Sequence, residues 1–73
     1  MDLPPAQRSV LEVLIAAEGR VVSRERLTRR AGLRDVSPRR VDSLLSALRK
    51  ELGDDVLTNV RGRGWSLTKH VEL

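Results

Sequence analysis

Between residues 37 and 52 the apolar side chains Val41, Leu45, Leu48 and Leu52 recur at steps of four, three and four. At about 100° per residue this spacing gathers them into one narrow stripe on a helix of about four turns. Such a stripe must be buried, so the rest of the chain has to supply apolar faces that cover it. The opposite side carries Arg39, Ser43, Ser46 and Lys50 at the same steps, with Arg40 and Ala47 at its margin. That face is cationic and short-chained, and long acidic side chains are absent from it. A phosphate backbone or a base edge can approach it without meeting a carboxylate.

The covering faces must come from a short chain. With 73 residues there is room for one small domain over 1–73, its core running from about 3 to 67 and residues 68–73 forming a loose tail. A domain of this size has a net stability of only a few kcal/mol. Trp65 is the one aromatic residue and cysteine is absent, so the core is built from Leu, Val, Ile and Ala without a disulfide or a thiolate metal site. This suits a reducing cytosol. No apolar run approaches the roughly 18 residues of a membrane span, and no basic segment followed by an apolar core opens the chain. The sequence reads as soluble and cytoplasmic, with no membrane partner.

Taken in order, Leu3-Pro4-Pro5 is a helix entry, because proline is tolerated in the first turn. Helix one should run to about 18, with Val10, Leu11, Leu14, Ile15 and Ala17 as its apolar face and Gly19 as a left-handed stop. Arg20-Val21-Val22 reads as a short strand. Ser23 is an N-cap for a second helix over about 24–31, with Glu25 in its first turn, Leu27 and Ala31 facing inward and Gly32 ending it. The connection from 32 to 36 is short, so the third helix must turn sharply away, as in a helix-turn-helix. Ser37 caps that helix and Pro38 takes its first position. After Gly53 and the polar turn Asp54-Asp55 the period changes. Residues 56–60 read as a strand, 61–64 as a turn and 65–67 as the returning strand. Val21-Val22 is the natural third strand, and Trp65 is the group that pins this sheet to the helices.

The net charge of +4 is modest, but its distribution is uneven. Residues 24–40 hold seven arginines against Glu25 and Asp35, whereas the segments 1–23 and 41–56 each carry an acidic excess. Such concentration points to a polyanionic partner; a merely solvated face is the plain alternative. Two more arginines, Arg61 and Arg63, alternate with Gly62 and Gly64 at the hairpin tip, where little is available for them to pack on.

Catalytic chemistry finds no purchase. There is no cysteine nucleophile, no histidine within the folded part and no Gly-rich loop leading from a strand into a helix. The glycines at 62 and 64 join two strands instead. Asp54 and Asp55 suit a turn better than acid/base work. His70 is alone in a polar tail and cannot assemble a metal site. No enzyme and no cofactor is expected.

The succession Gly19-Arg20-Val21-Val22-Ser23-Arg24-Glu25, then Arg40-Val41-Asp42, then Leu48-Arg49-Lys50-Glu51-Leu52, and finally Asn59-Val60-Arg61-Gly62-Arg63-Gly64-Trp65 resembles the winged-helix effector domain of OmpR/PhoB-type response regulators. The likeness spans about 3–67. It implies a mainly α fold with a small antiparallel sheet, a winged helix-turn-helix of three helices and a C-terminal hairpin wing. The function implied is sequence-specific binding of double-stranded DNA as the output domain of a transcriptional regulator. Helix three would lie in the major groove and the wing at the neighbouring minor groove. The resemblance further implies a bacterial two-component phosphorelay, an upstream receiver domain phosphorylated on aspartate, tandem copies on direct repeats and a contact with RNA polymerase.

Carried over by position, Arg39, Arg40 and Ser43 match the first turns of the recognition helix, Ser46, Ala47 and Lys50 its later exposed positions, and Arg61 the wing arginine, with Gly62 and Arg63 beside it. Arg39 and Arg40 would contact base or phosphate, Ser43 a base edge and Lys50 a phosphate, while Arg61 or Arg63 enters the minor groove. The chain departs from the pattern at Leu44, where a polar residue is frequent, and at Ser46 and Ala47, where arginine is frequent. Leu44 is expected at the edge of the core, and the wing is expected to carry more of the binding. Asp42 and Arg49 are expected to be ion-paired structural residues. The second helix lacks the tryptophan often found near its end, and the short loop after it weakens the polymerase contact. No four-stranded sheet precedes helix one, so the chain is expected to be a fragment or to belong to a subgroup attached to a different domain. The alternative function is a protein-interaction module that docks an acidic partner or an attached enzyme-like domain.

Overall fold

The computed structural model describes residues 2–73. Three helices, α1 (Pro5–Ala16), α2 (Arg24–Arg30) and α3 (Pro38–Leu52), are followed by a hairpin of β1 (Leu57–Val60) and β2 (Gly64–Leu67). The arrangement is the expected winged helix: three helices and a two-stranded antiparallel sheet. Among the described residues no helix is long and apolar enough to cross a membrane.

Each helix boundary follows from local chemistry. Pro5 opens α1, and the Arg8 N–H donates to the Pro4 carbonyl at 2.9 Å. The helix ends at Ala16 rather than 18, because Glu18 and Gly19 both turn to positive φ, 51° and 85°. Ser23 caps α2, its hydroxyl accepting from the Arg26 N–H at 3.1 Å. At the other end Leu33 N–H donates to Thr28 C=O at 2.8 Å and Gly32 N–H to Arg29 C=O at 3.3 Å. These two bonds satisfy carbonyls that a helix end otherwise leaves bare, and they turn the chain toward α3. Ser37 caps α3 in the same way, accepting from the Arg40 N–H at 3.3 Å, with Pro38 at the first helical position.

The core is made where all these elements face inward. Val10, Leu11 and Leu14 of α1, Leu27 of α2, Val41, Leu45 and Leu48 of α3, and Leu57 of β1 are fully buried, and Val22, Trp65 and Leu67 nearly so. Leu52, the last member of the predicted stripe, is only half-buried, as is Leu44, which packs against the core edge as expected. Every buried side-chain polar atom among the described residues has a partner.

The sheet differs from expectation in three respects. β1 starts at Leu57 rather than 56, because Val56 still belongs to the turn, its N–H donating to Gly53 C=O at 3.1 Å. Pairing runs Leu57 with Leu67, Thr58 with Ser66, Asn59 with Trp65 and Val60 with Gly64. The tip therefore contains only Arg61, Gly62 and Arg63, and Gly64 is the first residue of the returning strand. The expected third strand at 20–22 is reduced to a single bridge, in which Val22 N–H donates to Trp65 C=O at 2.8 Å and Trp65 N–H to Val22 C=O at 2.9 Å. Arg20 is already committed to the end of α1, donating to Ala17 C=O, and Ser23 to the start of α2. Only Val21 and Val22 lie between these two commitments, and of them Val22 alone pairs with the sheet. Residues 68–73, expected as a loose tail, are fastened at their start: Thr68 N–H donates to Val56 C=O at 2.8 Å, the Thr68 hydroxyl donates to the Asp55 carbonyl, and Val71 packs against the core.

Candidate nucleic-acid interface

The buried stripe of α3 fixes which of its side chains face outward. With Val41, Leu45 and Leu48 turned into the core, Arg39, Arg40, Ser43, Ala47 and Lys50 are exposed. Ser46 is half-buried. It lies four residues after Asp42 and three before Arg49, on the flank of the helix whose charges are engaged by α2, the turn after α3 and the sheet. The outer face is therefore centred on Arg40, Ser43, Ala47 and Lys50 rather than on Ser46.

That flank also contains the contacts that local periodicity does not reveal. Arg24 Nη1 at the start of α2 donates to Asp42 Oδ2 at 2.9 Å. Arg49 lies 5.7 Å above the Trp65 ring and 3.5 Å from the Asp54 carboxylate. Asp42 and Arg49 are thus both ion-paired, as expected of structural residues, but each has a partner outside its own helix. The cationic guanidinium over the ring face couples α3 to the sheet that carries the wing. Arg24 leaves the one carboxylate on this side of α3 neutralised by its neighbour.

The hairpin tip stands across a cleft of about 510 Å³ from this flank. Ser23, Arg24 and Asp42 line one wall, and Gly62, Arg63 and Gly64 line the other. Arg61, Gly62 and Arg63 are exposed. Gly62 has φ 76° and open space where a Cβ would lie, so the tip is a tight turn with nothing behind it. Gly64 is constrained by proximity instead: a Cβ there would fall 2.1 Å from the Val22 carbonyl oxygen.

Among the described residues Arg39, Arg40, Lys50, Arg61 and Arg63 form no ion pair. Five cations on two elements are thus available to an external anion. Away from this surface, Lys69 donates to Asp55 Oδ2 at 2.6 Å, and that hydrogen bond, a backbone hydrogen bond and the Lys69 charge hold the Asp55 carboxyl below its ordinary value. Among the described residues no three His, Cys, Asp or Glu side chains gather to hold a metal ion.

The family model described as "Transcriptional regulatory protein, C terminal" matches residues 1–67. No curated protein gives a match. Among solved structures, the DNA-binding domain of the response regulator AdeR, determined in complex with an intercistronic region, superposes with a TM-score of 0.81 at 30% identity, over 94% of this chain and 74% of that one. The DNA-binding domain of E. coli CadC superposes with a TM-score of 0.80 at 28% identity, over 92% of this chain and 69% of that one. With the family model covering α1 through β2 and the same fold in both relatives, the chain belongs to the C-terminal domain family of transcriptional regulatory proteins, the OmpR/PhoB-type winged helix-turn-helix.

Proposed function

We propose that this chain binds double-stranded DNA sequence-specifically as the output domain of a transcriptional regulator. Arg39, Arg40, Ser43, Ala47 and Lys50 of α3 meet the major groove, with the half-buried Ser46 at the edge of that contact, and Arg61, Gly62 and Arg63 meet the adjacent minor groove. The observation that carries this reading is the set of five exposed cations without ion-pair partners, placed on the outer face of α3 and at the hairpin tip. Support comes from the AdeR relative, whose domain was solved on DNA. Arginine at the start of α3 is suited to a bidentate contact with guanine, and Lys50 to a phosphate as a point charge. Ser43 and Ala47 are short enough to let bases approach, but they supply few donors, which shifts binding toward backbone contacts and the wing. The same reading includes an attached regulatory domain such as a receiver, tandem copies on direct repeats, a polymerase contact and a cytoplasmic, non-enzymatic role. The family's description as a C-terminal part supports the first of these.

Titration of isotopically labelled protein with mixed duplex DNA at low salt tests the assignment. Amide shifts are expected along 39–50 and 61–64. Shifts confined to other parts of the chain would remove it.

A further inference from the structure

On the flank of α2 turned away from Asp42, a groove of about 550 Å³ runs between α1, the 20–22 segment and α2. Its apolar lining comes from Val13, Ala16, Ala17 and Val21. Val21 remains 39% exposed, which makes it one of the few large apolar side chains the fold leaves in water. Around this lining stand Arg20, Arg26 and Arg30, all exposed and none in an ion pair among the described residues. The one acidic residue in the groove, Glu12, lies 3.8 Å from Arg8, so its charge is partly answered from its own helix.

The placement separates this groove from the proposed DNA surface. Arg24 is the α2 arginine that reaches α3. Arg26 and Arg30 are four apart and so share a face of α2, and that face lines the groove beside α1. A duplex presents phosphates and sugars at its surface and gains nothing from an apolar lining. A short amphipathic helix gains from both components: apolar side chains on Val13 and Val21, and carboxylates beside three arginines. The volume is within the range of well-formed sites and suits one or two anchoring side chains.

We propose that the α1–α2 groove docks a short acidic, amphipathic helix of a partner protein, on a face that stays open while α3 and the wing are on DNA. The groove's apolar lining and its three unpaired arginines carry the assignment independently of the DNA reading.

The test titrates the labelled chain with a synthetic peptide of about four helical turns, bearing leucine along one face and glutamate elsewhere. A control peptide has glutamine in place of leucine, and duplex DNA is titrated separately. The leucine peptide should shift Val13, Ala16, Val21, Arg26 and Arg30. R26E with R30E should weaken it about tenfold or more. Val21→Ser, which changes no charge, should weaken it several-fold while the unfolding midpoint holds. Equal binding of the glutamine peptide, shifts confined to α3 and the wing, or the same groove responding to duplex DNA would each overturn the proposal. A chain that takes the peptide in this groove and ignores DNA would support it while removing the DNA reading.

Discussion

Gly64→Ala should damage the wing far more than its position at the edge of a small sheet suggests. An added Cβ would lie 2.1 Å from the Val22 carbonyl oxygen, 2.6 Å from its carbon and 2.8 Å from Ser23 Cα, all of them backbone atoms. Ordinary contact begins near 3.4 Å, so the two segments must separate by more than 1 Å. Separation on that scale breaks the paired Val22–Trp65 hydrogen bonds of 2.8 and 2.9 Å. Each is worth about 1 kcal/mol. Holding a non-glycine residue at φ 146° adds about 1–3 kcal/mol. The loss of about 3–5 kcal/mol compares with a total stability of about 4–11 kcal/mol for a chain of this length. In a urea melt the variant should lose about a quarter or more of its stability, with a thermal midpoint lower by at least about 12 °C. Gly62→Ala is the control: it shares a positive φ, 76°, but has open space, so it should cost about 1–2 kcal/mol. If Gly64→Ala costs no more than Gly62→Ala, the close approach of the two backbones is not what fixes glycine there.

Two further expectations concern charges. Arg49→Ala should lower stability by about 0.5–1 kcal/mol through lost contact with the Trp65 ring, whereas Asp54→Asn, on a 93% exposed carboxylate, should change almost nothing. Equal effects in chemical denaturation would assign the benefit to the ion pair instead. The Asp55 carboxyl is held low by Lys69, so the linked stabilisation is complete above the ordinary carboxylate range and disappears as pH falls through the depressed folded value. Lys69→Ala should raise the NMR titration midpoint of Asp55, and its stability deficit should shrink at acid pH. An unmoved midpoint would refute the pairing.

What could be read directly from the residues is what depends on local spacing. The step of Val41, Leu45 and Leu48 fixed the buried side of α3, and the serine, proline and glycine signals located its ends. Trp65 was identifiable as the pin because no other residue is large enough. The hairpin register was legible only to within a residue, since Gly64 serves equally as a turn residue or as a strand residue pressed against another backbone. What remained hidden depends on distant pairs. Arg24 with Asp42 and Arg49 with Trp65 are separated by many residues, and no periodicity relates them. Ser46 belongs to the polar arc by spacing, yet its flank is the one crossed by those contacts, and it is half-buried. The arginines of α2 read as part of a polyanion-binding segment or as a solvated face, and nothing in their spacing sets Arg26 and Arg30 beside Val21.

On DNA, the five free cations of α3 and the wing should each meet a phosphate or a groove. Neutralising about five phosphates predicts that log affinity for duplex DNA falls against log salt with a slope near −4.5. Arg61→Ala with Arg63→Ala should leave the unfolding transition in place and make the slope shallower by about 1.8. A flat response in the unaltered chain, or a slope unmoved by removing both wing arginines, would contradict this.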